Sequence, residues 1–179
     1  MAKVLQLAKK LEKRPQLAKV EGITLRQFKG PEDIDLWLQT RLFTFADEFS
    51  PPKPWSKQDW QREFSRKPWW TDQRMWFAQV HPPLARDSEN GKTIGSVTLG
   101  HRGKGINARP SIHWLMVVPE WRWHGAGRFL VTQIEQQAWD LGEREIVLDT
   151  LSEWAAAAAF YQKMGYVPMD ADAERPEAT

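Results

Sequence analysis

The stretch WRWHGAGRFL at positions 121–130 concentrates the residue types that can hold an anion. Gly125 and Gly127 remove side chains where a phosphate would approach the main chain, and Arg122 and Arg128 add countercharge. The stretch follows a continuous apolar run, SIHWLMVV at 111–118. It precedes a helical pattern with Leu130, Ile134, Ala138 and Leu141 on one face. At such a strand-to-helix junction, unpaired backbone N–H groups and the positive end of a helix dipole favour an anion. A glycine turn that merely starts a helix has the same local pattern, so both readings stay open at this level.

Other binding motifs fit less well. No GxxxxGK[ST] run occurs, and a dinucleotide fingerprint would need a glycine where Leu130 stands, although Asp149 lies at a suitable distance. Four scattered histidines show neither HxH nor HExxH spacing, so no metal is expected. The absence of cysteine removes thiolate zinc sites, disulfides and a thiol nucleophile together.

The elements that would position this loop can be read from the pattern of the chain. A length of 179 residues suits one domain with a full core, and 41% hydrophobic against 27% charged residues excludes global disorder. Eleven tryptophans point to an aromatic core or a ring-lined groove. No apolar run reaches the roughly 18 residues of a membrane helix, and no secretory h-region opens the chain, so a cytoplasmic protein without membrane contact is expected. Basic residues gather in 1–20 (Lys3, Lys9, Lys10, Lys13, Arg14, Lys19) and acidic ones in 169–179 (Asp170, Asp172, Glu174, Glu177). The body between carries no basic stripe, which argues against nucleic acid as a partner.

Val4, Leu5, Ala8 and Leu11 at helical spacing among lysines predict an amphipathic N-terminal helix over 1–20, ending near Pro15. GITLRQF (22–28) predicts a strand, residues 30–45 a helix with early acids, and Ser56 the N-cap of a short helix containing Trp60 and Phe64. Strands follow at 74–80, 93–101 and 111–118, then the helix that Gly142 closes. EIVLDT (145–150), the alanine-rich helix 153–164 and a short strand at 166–168 complete the order β-α-α-β-β-β-α-β-α-β.

VVPEWRWHGAGRFL resembles motif A of the GCN5-related N-acetyltransferase (GNAT) family, a [RQ]-x-x-G-x-[GA] loop after V-x-P, with Arg122, Gly125 and Gly127 at its defined positions. AAAFYQKMGY (157–166) resembles the family's A-x-x-[FL]-Y-x-K-x-G-[FY] segment. The resemblance covers about residues 22–168. It implies a mixed α/β, three-layer fold: a twisted, mostly antiparallel sheet of about six strands with helices on both faces. The domains would be a basic extension (1–20), the acetyltransferase domain (21–168) and an acidic tail (169–179).

The resemblance also implies residue roles. Main-chain groups of Met116, Val117 and Val118 would pair with the pantetheine arm of acetyl-CoA, the co-substrate. Amides from Arg122 through Trp123, His124, Gly125, Ala126 and Gly127 to Arg128 would wrap its pyrophosphate, with the His124 ring beside the phosphates. Tyr161 would be the general acid that protonates the departing thiolate. The acceptor amine must lose a proton, and the strand position where some relatives carry a glutamate is Ser111 here. His113, two residues on along the same strand face, is the first candidate base, with Glu48 or a water second. Trp154 stands where relatives often have an asparagine that contacts the cofactor arm, so packing would replace that contact. Asp47 and Glu48 with Trp55, Trp60, Trp69 and Trp70 would face the acceptor, a small-molecule or peptide amine. Direct acetyl transfer through a ternary complex is the expected activity. A catalytically inactive CoA-binding module is the alternative and a Rossmann-type nucleotide binder the third reading. After Tyr166 no clear seventh strand is visible, so the N-terminal extension or a partner subunit, as in a homodimer, would cover the open edge.

Overall fold

Alternation of apolar residues along the strands divides one sheet into two covered faces. The computed structural model describes residues 3–46, 53–81 and 91–169. The strands are β1 (Val4–Lys10), β2 (Ile23–Gln27), β3 (Met75–Val80), β4 (Lys92–Arg102), β5 (Arg109–Val117), β6 (Glu145–Leu151) and β7 (Val167–Pro168). The helices are α1 (Glu32–Thr44), α2 (Lys57–Glu63), α3 (Ala126–Asp140) and α4 (Ala155–Lys163). The strands lie in the order β2-β3-β4-β5-β6-β1-β7, and β5 with β6 is the parallel pair in an otherwise antiparallel sheet. The mixed α/β architecture matches the expectation, with seven strands in place of about six.

One face is aliphatic. Leu130, Ile134 and Ala138 of α3 and Tyr161 of α4 pack there on Val97, Leu99, Ile146 and Leu148. The other is aromatic: Trp37 of α1 and Trp60 of α2, with Phe64, cover Met75, Phe77 and Met116. Local sequence fixes the helix ends. Ser56 and Asp59 form a reciprocal capping box at α2, and Asp59, which also pairs with Arg62, is pushed down to about 2 by the Ser56 bonds. Gly142, at φ +92°, closes α3 with the amides of Gly142 and Glu143 donating to Trp139 and Ala138 carbonyls.

The N-terminus departs from expectation. Residues 4–10 form a strand, not a helix, and β1 pairs with β6 over seven residues from Val4↔Leu151 to Lys10↔Glu145. The physical reason is that β6 would otherwise expose a row of unpaired N–H and C=O groups, whereas a short isolated helix ending at Pro15 is marginal. The extension therefore covers the edge of β6, and β7 adds to its far side through Leu7↔Pro168 and Ala8↔Val167. Residues 11–20 then run back along α3. Arg14 donates two bonds to Asp140 at 2.7–2.8 Å, Gln136 donates to the Pro15 carbonyl at 3.1 Å, and the Ala18 amide donates to Thr132 Oγ1 at 2.9 Å. Acidic residues 170–179 lie outside the described residues, and no described helix is long and apolar enough to cross a membrane.

Candidate active site

The site begins with a strand that gains one residue. Between Ser96↔Met116 and Thr98↔His113 the register of β4 with β5 slips, and Trp114 takes φ +52° at that bulge. Beyond it β5 and β6 part: among the described residues their one register pair is Ser111↔Val147. From Trp114 to Val117 no register pair joins β5 to β6.

Within that opening the main chain is only partly free. The Val118 amide donates to the Ile94 carbonyl at 2.9 Å, so by alternation Val117, not Met116 or Val118, turns its polar groups away from β4. The Met116 carbonyl sits so close to Gly95 that a Cβ there would come within 2.5 Å of it. Arg122 Nε donates to the Val117 carbonyl at 3.3 Å and its Nη2 to the Thr44 carbonyl at 2.6 Å. The Arg122 guanidinium thus braces the loop against β5 and the C-terminal end of α1, where a cation is favoured.

The loop itself alternates in hand. Trp123 has φ +68° and Gly125 φ +86°, so left-handed residues flank His124. The first bond of α3 runs from the Phe129 amide to the Gly125 carbonyl, so the amides of 126–128 precede the helical ladder. A side chain at Gly125 would meet Val20 of the N-terminal segment at 2.9 Å. Gly127 faces Phe160 and Val117, so α3, α4 and β5 converge at this glycine. His124 Nδ1 donates to the Arg122 carbonyl at 2.8 Å, which fixes its ring on the loop surface, and Arg128 is exposed. Trp123 is 87% exposed, and no described contact accounts for its ring.

Tyr161 is buried on the aliphatic side. Gly165, at φ +91°, ends α4 so that the Tyr166 amide donates to the Tyr161 carbonyl at 3.0 Å, and the two rings meet edge to face at 5.7 Å. This explains why glycine and an aromatic follow the tyrosine: the helix cap holds the phenol's turn in place. Burial raises the Tyr161 phenol well above its ordinary pKa, so it carries its proton at neutral pH. Trp154, at the N-cap of α4, stacks on Phe45 at the end of α1 with centroids 6.1 Å apart.

On the aromatic side His113 Nε2 lies 2.8 Å from Glu63 Oε1, an ion-pair distance approached out of line for a hydrogen bond. Trp114 Nε1 donates to the same oxygen at 2.9 Å. Half-burial pushes the Glu63 carboxyl up, but the His113 and Trp114 contacts outweigh it and hold the carboxyl below its usual range. Rings of Phe64, Trp69 and Trp114 surround His113. Asp47 and Glu48 lie outside the described residues. Among the described residues no cluster of His, Asp or Glu could hold a metal. Sequence reasoning missed Glu63 and the bulge at Trp114: Glu63 ends a polar helix with no motif around it, and the bulge arises from cross-strand register.

Comparisons with known proteins agree with this geometry. None of the curated proteins matches the sequence. Among solved structures, a GCN5-related N-acetyltransferase from Sphaerobacter thermophilus superposes with a TM-score of 0.71 at 18% identity, covering 94% of this chain and 49% of its own. The chain thus spans about half the length of that protein. The NatC complex bound to Gag peptide and CoA gives 0.64 at 20% identity, covering 83% and 86%. AAC(6')-Iy, in complex with the bisubstrate analogue CoA-S-monomethyl-acetylneamine, gives 0.58 at 15%, covering 88% and 99%. The model of the acetyltransferase (GNAT) family matches residues 43–166, which takes in the splayed strands, the glycine loop and Tyr161, and the chain belongs to that family.

Proposed function

We propose that the protein is an acetyl-CoA-dependent N-acetyltransferase that moves the acetyl group directly to a primary amine. The observation that carries this reading is the splay of β5 from β6, headed by the Gly125 loop and flanked by the helix of Tyr161. An acyl-CoA suits these residues: the diphosphate meets free amides at the start of α3, and the arm lies along Val117 between the parted strands. Bound there, the donor supplies a thioester carbonyl open to attack.

The protein's own groups then manage protons. A free alkyl ammonium has a pKa of about 10 and must lose a proton before it can attack. His113 accepts it through the ring nitrogen that does not face Glu63, and Glu63 orients the ring as a positioning residue. As the C–N bond forms and the C–S bond breaks, Tyr161 gives its proton to the thiolate, and the second proton, shed by the nitrogen as the tetrahedral adduct collapses, restores the phenol. With no cysteine in the chain, no protein thiol carries the acyl group in between. The tryptophans around His113 support an acceptor with apolar surface beside its amine. The peptide and aminoglycoside-analogue complexes among the structural neighbours make both acceptor classes worth assay.

Thermal-shift titration with acetyl-CoA, CoA and NAD tests the donor, and thiol release over a panel of amines tests turnover. Stabilisation by NAD alone sinks the reading. Tyr161→Phe should lower turnover about 100-fold while leaving CoA affinity unchanged. Full turnover in that variant would remove Tyr161 from the mechanism.

A further inference from the structure

We infer that the N-terminal segment is part of the donor site: its groove against α3 and α4 receives the 3′-phosphorylated ribose end of CoA. The inference rests on the reading that the α3 loop holds the donor's diphosphate. A groove of about 470 Å³ lies where residues 9–16 cross α3 and the end of α4. Lys10, Lys13, Arg128 and Lys163 line it, and none has an ion-pair partner among the described residues. Of its two acids, Glu135 is already compensated by Lys9 Nζ at 2.8 Å and the Tyr166 hydroxyl at 2.9 Å, which leaves Glu12 against four cations.

Position connects this charge to the loop. Arg128 stands in the first turn of α3, just past the free amides, and Thr132 lies a turn further along the groove. At the rise of an α-helix, Gly125 to Thr132 spans about 10 Å, the reach of a ribose and its phosphate beyond a diphosphate. A phosphate dianion at that distance meets cations from both walls, one wall being this chain's residues 10–13. Those residues precede the span matched by the family model, so the wall comes from the added strand and the segment after it.

Isothermal titration of the full chain with CoA and with 3′-dephospho-CoA tests this. The unaltered protein should bind CoA about tenfold more tightly, a preference that shrinks as salt rises. Lys10 and Lys13 are exposed, so Lys10→Ala/Lys13→Ala should fold normally. Its CoA affinity should fall about tenfold, with less than a twofold change for dephospho-CoA. Lys163→Ala, on the opposite wall, should show the same selectivity. Equal affinity of the unaltered protein for both compounds, or equal weakening of both in the variants, overturns the inference. So does stabilisation by inorganic phosphate that persists at saturating CoA, which would make the groove a separate anion site. Binding of neither compound defeats the donor reading itself, a distinct result.

Discussion

The two faces of the sheet treat polar groups in opposite ways. On the α3/α4 face Glu135 is buried but bonded to Lys9 and Tyr166, and Thr132 serves both the Ala18 amide and the Phe129 carbonyl. The α1/α2 face holds the buried polar side-chain atoms found without any partner among the described residues, Trp37 Nε1, Arg41 Nε, Trp60 Nε1, Ser96 Oγ and Thr98 Oγ1, while His113 Nε2 is met only by the Glu63 carboxylate at 2.8 Å. Ser96 and Thr98 belong there because they sit opposite Phe77 and Met75. Each orphaned group costs free energy, about 1–3 kcal/mol, so their segregation to one face carries a physical meaning. The satisfied face is a scaffold that fixes the loop, the Tyr161 helix and the N-terminal segment. The face with spare donors surrounds His113 and Trp114.

Breaking the scaffold should cost most. Glu135→Ala strands the Lys9 ammonium and the Tyr166 hydroxyl and should lower stability by about 3 kcal/mol in urea unfolding. A loss under 1 kcal/mol would mean that this face is less committed than its bonding suggests. Gly125→Ala places a Cβ against Val20 in a left-handed conformation, with an expected cost of about 1.5 kcal/mol and weaker CoA binding. Unchanged CoA affinity would detach the loop from the donor.

High pH offers a gentler probe of the same face. Burial raises both phenols, Tyr161 and Tyr166, above their unfolded values. The folded state therefore holds these protons more tightly, and that stability is complete below about 10 and lost as pH climbs past it. Chemical denaturation from pH 8 to 11 should show the decline, and Tyr161→Phe should make it shallower. The smallest effect belongs to the other face. Thr98→Val removes a hydroxyl that has no partner and should change stability by roughly 0–0.5 kcal/mol, in either direction. A loss above 1 kcal/mol would show that Thr98 is hydrogen-bonded in solution, and the contrast between the faces would weaken.

Much of the local framework was legible in the sequence. Gly125 and Gly127 after an apolar strand, Gly142 and Gly165 after helical runs, and Ser56 three residues before Asp59 are each local signals. Their geometry is decided within a few residues, so spacing suffices. The role of Arg122 was half legible: its position in the loop was plain, but its bonds go to Val117 and, from a distant helix, to Thr44.

By itself the sequence determined the order of elements from β2 onward, the glycine loop at the start of α3 and the helix cap that follows Tyr161. Only the tertiary structure decided that residues 4–10 are a strand, because their helical spacing competes with an unpaired edge of β6 that lies far along the chain, from Val4↔Leu151 to Lys10↔Glu145. The same holds for the Trp114 bulge and the meeting of Glu63 with His113, which depend on register between strands and on a helix docked across them. Local rules act through neighbouring residues, whereas pairing energy is gained only once remote partners are in place, and no pattern within β1 or α2 records it.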